Sequence, residues 1–378
     1  MFYIFIFILA ILFAYLAQAN EKNNLHLFFS ALACLTLILP AGFRDLTVGT
    51  DSSLYPVTVF ENGKEYEFSI MAMIEPLYGY LGFIVRKFNG SLWHLYLITH
   101  LIIIFSFYLS FWRLRRQISI AFAMFLFCFI WYNISLNISR QSIAIGLVLL
   151  GYTYLIKKRL KIFVTIVCIA ILFHKSAIVA FLMIPLLYMK NLKINYTIFF
   201  LLLLALLLYG WALSRIPIVQ GLEKYEQYQS GEGYEGKLSF SETILRLSFL
   251  YIVWKFRPIS KRRWRAYMIF FLCELLLNLF QVWSRFVGRI GLCFFVVYFL
   301  YIPQCLHLRY KSFDYKRTML LVAYYLSNLK FLFLRLNTIE YERTKLFLLL
   351  LVLFYWLYVI VYSDAGCTMP YTSRILGI

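Results

Sequence analysis

The stretch AGFRDLTVGTDSSLY (41–55) sets Arg44, Asp45, Asp51 and Tyr55 directly behind an apolar run. Further along, SRQS carries Arg140 and Gln141, FHKSA carries His174 and Ser176, and SRFVGRIG carries Arg285 and Arg289. One more carboxylate, Glu75, stands before Pro76. Planar guanidinium forks suit phosphate, because each donates two parallel charge-assisted hydrogen bonds. A histidine or carboxylate beside them is suited to accepting a proton from a hydroxyl nucleophile. The residue types therefore read as a site for a phosphate-bearing substrate with a nearby base. By intrinsic pKa near 6.5 His174 is the first candidate base, with Glu75 and Asp51 as rivals.

The elements that must position these groups are membrane helices. Hydrophobic residues make up 63% of the 378 and charged residues only 14%, with a mean hydropathy of +0.78. Apolar runs such as 2–19, 195–213 and 346–362 approach the ~20 residues needed to cross a hydrocarbon layer. The fold class is therefore all-α, a polytopic integral membrane protein with about 12 (range 11–14) transmembrane helices. They are expected near 2–19, 27–43, 93–112, 118–134, 140–156, 162–174, 176–189, 195–213, 241–254, 266–282, 290–306 and 346–362. The opening run lacks a basic n-region and a small-residue cleavage site, so it reads as a retained helix. No internal repeat or linker is visible, and residues 1–378 read as one helical domain.

The formal net charge of +20 does not point to nucleic acid. The basic residues gather in short loops at 113–117, 157–161, 190–193, 255–265 and 307–317, the pattern of cytoplasmic loops. That places the long segments 44–92 and 214–240 outside. Segment 318–334 carries Lys330 and reads either as a further span or as a helix lying in the cytoplasmic interface; the second, which is preferred, puts the C-terminus outside. Arg44, Arg140, Arg285 and Arg289 then end on the outer face, against the usual bias, and that contradiction is the sharpest functional signal. Glu274, Asn278, Gln281 and Arg285 recur four, three and four apart and form one polar stripe leading to Arg289. A charge at bilayer depth costs at least ~2.5 kcal/mol, so such a stripe faces protein or a wet cavity. Plainer accounts also exist: Arg44–Asp45 as a surface ion pair capping the second helix, His174 bonded to a backbone carbonyl, and Glu274 as an interhelical hydrogen-bond partner. The seven cysteines show no ligand spacing. Asp45 and Asp51 are six apart, not the DxD of metal-dependent sugar-nucleotide transferases, so neither a metal nor a cofactor is inferred.

The ordered set FRDLTVGTDSSLY, EPLYGYLGFIVRKF, ISRQSIAIGLVLLGYTYL, ILFHKSAIVAFLMIPL, SRFVGRIGLCFF and MPYTSRI resembles EpsG-type membrane proteins, relatives of the Wzy polymerases of O-antigen and exopolysaccharide. The resemblance implies a metal-independent glycosyltransferase at the outer face of the bacterial inner membrane. It would transfer a glycan from undecaprenyl pyrophosphate to the next lipid-linked repeat unit. Its partners would be lipid-linked oligosaccharide as donor and acceptor, membrane lipids and a chain-length regulator protein. Matching positions assigns importance to Arg44, Asp51, Tyr55, Glu75, Arg140, Gln141, His174, Ser176 and Arg285. Competing functions with overlapping residue needs are a flippase or transporter of lipid-linked glycans, an O-antigen ligase, and a membrane acyltransferase.

Overall fold

The computed structural model describes residues 1–52, 55–62, 75–188, 239–256, 261–281, 285–307, 328–364 and 366–378, together with Thr197, Phe200, Leu201 and Leu204. Among the described residues the elements are helices, with no β-strand.

The long spans are α1 (Phe2–Ala19), α2 (Leu25–Phe43), α5 (Leu92–Arg113) and α6 (Ile120–Asn137). Two short helices, α3 (Tyr55–Asn62) and α4 (Pro76–Lys87), lie between α2 and α5. The chain continues as α7 (Ser139–Leu155), α8 (Leu160–Phe173) and α9 (Lys175–Leu187), the last beginning as 3₁₀ helix over Lys175–Leu182. Then come α10 (Phe240–Lys255), α11 (Lys261–Phe280), α12 (Arg285–Phe295, running on through the span Gly288–His307) and α13 (Asn328–Trp356). Among the described residues, six helices are long and apolar enough to cross a membrane. The segment 195–213 lies almost wholly outside the described residues, as does most of 214–240.

Packing follows helical periodicity. On α1, Tyr3, Phe7, Ala10, Ala14 and Ala17 recur every three or four residues and are buried, while Phe5, Ile8, Leu12 and Tyr15 are exposed. Both faces are apolar because one meets protein and the other meets lipid. The alanines let α1 approach α2, whose buried face is Ala33, Leu37 and Ala41. Without a hydrophobic force between helices in lipid, such small residues allow the close van der Waals packing that holds them together. Around this pair α5, α6 and α7 are largely buried, as is the span Gly288–His307 of α12.

The two ends of the bundle differ in chemistry. At one end Arg115 pairs with Glu21 at 3.0 Å, Lys157 donates to the Arg113 carbonyl, and Gln304 donates to Gln117. Loops 113–117 and 157–161 therefore share that end. Residues 44–52, 137–141, 174–176 and 289 meet at the other end, with the C-terminal tail packed on them.

Two expectations about organisation change. Segment 44–92 is not a plain loop, since it contains α3 and α4. Residues 328–334 are not a separate in-plane helix: they continue without a break into α13, 29 residues or about 44 Å of helix at 1.5 Å each. Residues 318–327 lie outside the described residues. Residues 366–374 pack on the loop 43–50, at the end opposite loops 113–117 and 157–161.

Candidate active site

The pocket begins where a helix fails. Helix α6 widens into a π turn over Phe127–Tyr132, and it ends at Asn137, before Ile138 takes a non-helical conformation. The chain restarts at once as α7 with Ser139. A break of this kind strips carbonyls of their helical partners, and buried carbonyls need replacements. Arg44 supplies one: its Nη2 donates to the Leu136 carbonyl at 3.2 Å, and Nη1 to the Ala41 carbonyl. Its Nε reaches Ser52 Oγ at 3.3 Å and its guanidinium stacks over Tyr96 at 4.2 Å. Arg44 is only 4% exposed and does not line the pocket. It is neither a surface ion-pair partner of Asp45 nor a pocket residue, but a buried strut between the loop after α2 and the α6–α7 break. Burial lowers its affinity for a proton from the usual arginine range, with the nearby tyrosines acting in the opposite direction.

That loop is the first wall of the pocket. Gly49 has φ +99°, and a Cβ there would come within 2.8 Å of Ser52 Oγ and 3.1 Å of Asn137 Oδ1, so glycine is required. Ser52 N–H donates to the Gly49 carbonyl, Ser52 Oγ to the Val48 carbonyl, and Tyr96 OH to the Ser52 carbonyl. This tight turn presents Asp51 to the pocket.

A polar chain forms the second wall. Gln141 Nε2 donates to the Arg289 carbonyl at 2.8 Å and approaches Ser176 Oγ at 3.4 Å. Ser176 Oγ lies 2.8 Å from His174 Nδ1, and the Ser176 backbone N–H donates to the same nitrogen. A backbone amide can only donate, so Nδ1 accepts and the neutral ring carries its proton on Nε2. That nitrogen faces Glu75 Oε1 at 3.6 Å, while Glu75 Oε2 accepts from Arg140 Nη1. The chain thus leaves α7 at Gln141 and returns to it at Arg140.

The electrostatics follow from depth. Burial, with the cations Arg140 and Arg289 nearby, holds the His174 pKa down to about 3, so the ring is neutral near pH 7. Burial raises the Glu75 pKa, against the pull of Arg140, Arg289 and Lys175. Arg140 is neutralised by Glu75. Arg289 is half-buried and, among the described residues, has no carboxylate within ion-pair distance.

Together these walls border a half-open pocket of about 360 Å³, open solvent at its mouth included, lined by Asp51, Pro56, Tyr78, Asn137, Ile138, Ser139, Arg140, Gln141, His174 and Arg289. Of the residues singled out in the sequence, Asp51, Arg140, Gln141, His174 and Arg289 line it directly. Glu75 and Ser176 support it from behind. Arg44 stands apart, as described. Tyr55 opens α3 beside Pro56, and Arg285 opens α12, but their side chains lie outside what is described. Among the described residues no group of three or more His, Cys, Asp or Glu could hold a metal ion.

Arg246 escaped the sequence reading. It is 6% exposed, donates to Glu274 at 2.6 Å and to Glu242 at 3.0 Å, and lies over Phe295. The polar stripe through Glu274 and Asn278 therefore points into the bundle between α10, α11 and α12. The signal was present in SETILRLSF, where Glu242 and Arg246 stand at i, i+4 in an apolar helix.

Fold and site define a class: a polytopic helical membrane protein with a polar, arginine-bearing pocket at one end of its bundle. A family model described as the EpsG family matches residues 26–342, and the chain belongs to that family. It is accordingly of polysaccharide-polymerase type, within a glycosyltransferase-like family. No curated protein and no solved structure matches the chain.

Proposed function

We propose that this protein elongates a polysaccharide by transferring a glycan from a lipid pyrophosphate carrier to the next lipid-linked repeat unit. The observation that carries the reading is the convergence of Arg289, Arg140 and Asp51 in one pocket, opposite the basic loops. The positive-inside rule puts those loops in the cytoplasm and the pocket on the outer face of the plasma membrane. In a bacterium with two membranes that is the inner one, with undecaprenyl pyrophosphate as the carrier.

In this mechanism the acceptor hydroxyl oxygen attacks the anomeric carbon of the donor glycan. The bond from that carbon to the pyrophosphate oxygen breaks, and the leaving lipid pyrophosphate keeps the electron pair. Arg289 is the cation best placed for the pyrophosphate, because no carboxylate among the described residues lies within ion-pair distance of it. Arg140, oriented by Glu75, is the second donor. Preorganised charges of this kind stabilise a leaving group where its charge develops. Asp51 takes the hydroxyl proton, being the carboxylate among the described lining residues. His174 becomes a positioning residue, since Ser176 occupies one ring nitrogen and the proton on the other faces Glu75.

The test is a deletion strain and its glycans. Carrier or lipid bearing a single repeat unit supports polymerisation. Absence of any repeat on the final acceptor indicates a ligase or a flippase. Full-length glycan lacking acyl groups indicates an acyltransferase. Purified protein that elongates lipid-linked repeat units without partners would establish the activity directly.

A further inference from the structure

The last sixteen residues hold the pocket's loop in place, although they lie beyond the span matched by the family. The loop's backbone is bonded to the tail at three points. Asp45 N–H donates to the Thr372 carbonyl at 3.0 Å, Gly49 N–H to Cys367 at 2.7 Å, and Thr50 N–H to Gly366 at 3.1 Å. Side chains add more. Ser373 Oγ donates to the Phe43 carbonyl, Tyr371 OH to Pro40, and Arg374 N–H to Asp45 Oδ1.

The tail is anchored from below as well. Tyr3 OH donates to the Thr368 carbonyl at 3.0 Å, and Asn133 Nδ2 to Thr368 Oγ1 at 3.1 Å. The Trp356 indole N–H donates to Asn133 Oδ1 at 3.1 Å. Thr368 and Ser373 are fully buried. Gly366 has φ +92°, and a Cβ there would lie 2.3 Å from the Asn137 amide nitrogen. Asn137 lines the pocket and accepts from Thr50 Oγ1. A single network therefore joins Gly366–Thr368, Gly49–Asp51 and Asn133–Asn137.

We infer that the C-terminal tail, through Gly366, Cys367 and Thr368, is a positioning element of the active site that fixes Asp51 and Asn137 at the pocket wall. The inference rests on the proposed role of Asp51. Its geometric half can be read without any enzymatic assay. A tail lost or displaced frees three amide donors of the loop, Asp45, Gly49 and Thr50, to exchange with water, and the turn that aims Asp51 loses its frame. The α1–α9 packing beneath stays in place.

The experiment compares the full chain with a truncation after Ser363 and with Gly366→Ala, Thr368→Val and Thr368→Ser, all in lipid nanodiscs. Hydrogen exchange of peptides covering 45–52 reports the loop. Binding of a short polyprenyl pyrophosphate and elongation of lipid-linked repeat units report function. The truncation and Gly366→Ala should raise loop exchange on the order of 100-fold. They should lower kcat at least 10-fold while donor binding holds. Thr368→Ser keeps the oxygen that Asn133 bonds and should behave as the full chain, whereas Thr368→Val should follow Gly366→Ala. Unchanged exchange at 45–52 in both the truncation and Gly366→Ala overturns the inference. Raised exchange with full elongation leaves the tail's hold on the loop standing and removes Asp51 from the chemistry.

Discussion

The Arg140–Glu75 pair offers a perturbation whose size the structure sets. The two side chains are 14% and 8% exposed and in direct contact. Removing one partner of a buried pair strands the other charge, a loss of ~3–5 kcal/mol in comparable settings. The slight exposure of Arg140 places this pair near the lower end, at about 3 kcal/mol for either Glu75→Gln or Arg140→Gln. The double variant strands no charge and can bridge two amides, so it should lie within about 1 kcal/mol of the parent. Stability and activity should therefore separate. All three variants lose elongation, because the Arg140 guanidinium is either absent or no longer aimed. Only the singles lose stability. Denaturant unfolding in micelles and elongation of lipid-linked repeat units measure the two quantities on the same preparations. If the double variant is as unstable as the sum of the singles, the pair is not coupled and the polar chain has no electrostatic keystone. If Glu75→Gln elongates normally, the orientation of Arg140 does not depend on that carboxylate.

Other outcomes follow from the same geometry. His174 stays neutral because its folded pKa, about 3, lies below its ordinary value of 6.5. The elongation rate should therefore show no inflection near pH 6.5, while fold stability declines only as pH falls below 6.5 and the unfolded ring alone takes up a proton. An activity step at pH 6.5 that vanishes in His174→Gln would restore the histidine as base. Arg289→Lys should weaken binding of a polyprenyl pyrophosphate at least ~10-fold, because a point charge cannot reproduce two parallel bonds; equal binding would show that charge alone suffices. Arg44→Lys should lower stability with much smaller effect on pyrophosphate binding, since Arg44 touches loop and helix carbonyls instead of the pocket. Cys367 is exposed in the tail, so a membrane-impermeant maleimide should label it from outside intact cells, and labelling only after lysis would reverse the topology.

Much of the bundle was legible because membrane helices announce themselves by length and apolarity. The starts and ends of α1, α2, α5 and α12 fall within a few residues of where the sequence places them. The pocket residues were legible for a related reason: Arg140, His174 and Arg289 stand at the ends of apolar helices, at the end opposite the basic loops 113–117 and 157–161. What the sequence hides is the long-range partner. Nothing near Arg44 reveals that a helix 92 positions later will break and leave the Leu136 carbonyl for it. For the same reason the intrinsic pKa of His174 carries no trace of the Ser176 amide and the Glu75 carboxylate that meet its ring. Segment 318–334 misled by its charges, since Lys330 and Arg335 look interfacial until 328–356 proves to be one continuous helix. Arg246 was passed over because its partner Glu274 lies on the next helix, 28 residues away.

Arg44 also constrains how the protein is made. When α1 and α2 emerge during synthesis, Tyr96 and the Leu136 carbonyl do not yet exist. A guanidinium at the bilayer centre is disfavoured by ~2.5–3.5 kcal/mol on insertion scales, and the cost falls toward the interface, where Arg44 stands at the end of α2. Arg44 follows the last residue of α2, so its guanidinium can stay at the interface until α5 and α6 arrive with those partners. A chain halted before residue 136 lacks the carbonyl that one arm of the Arg44 guanidinium bonds in the finished bundle.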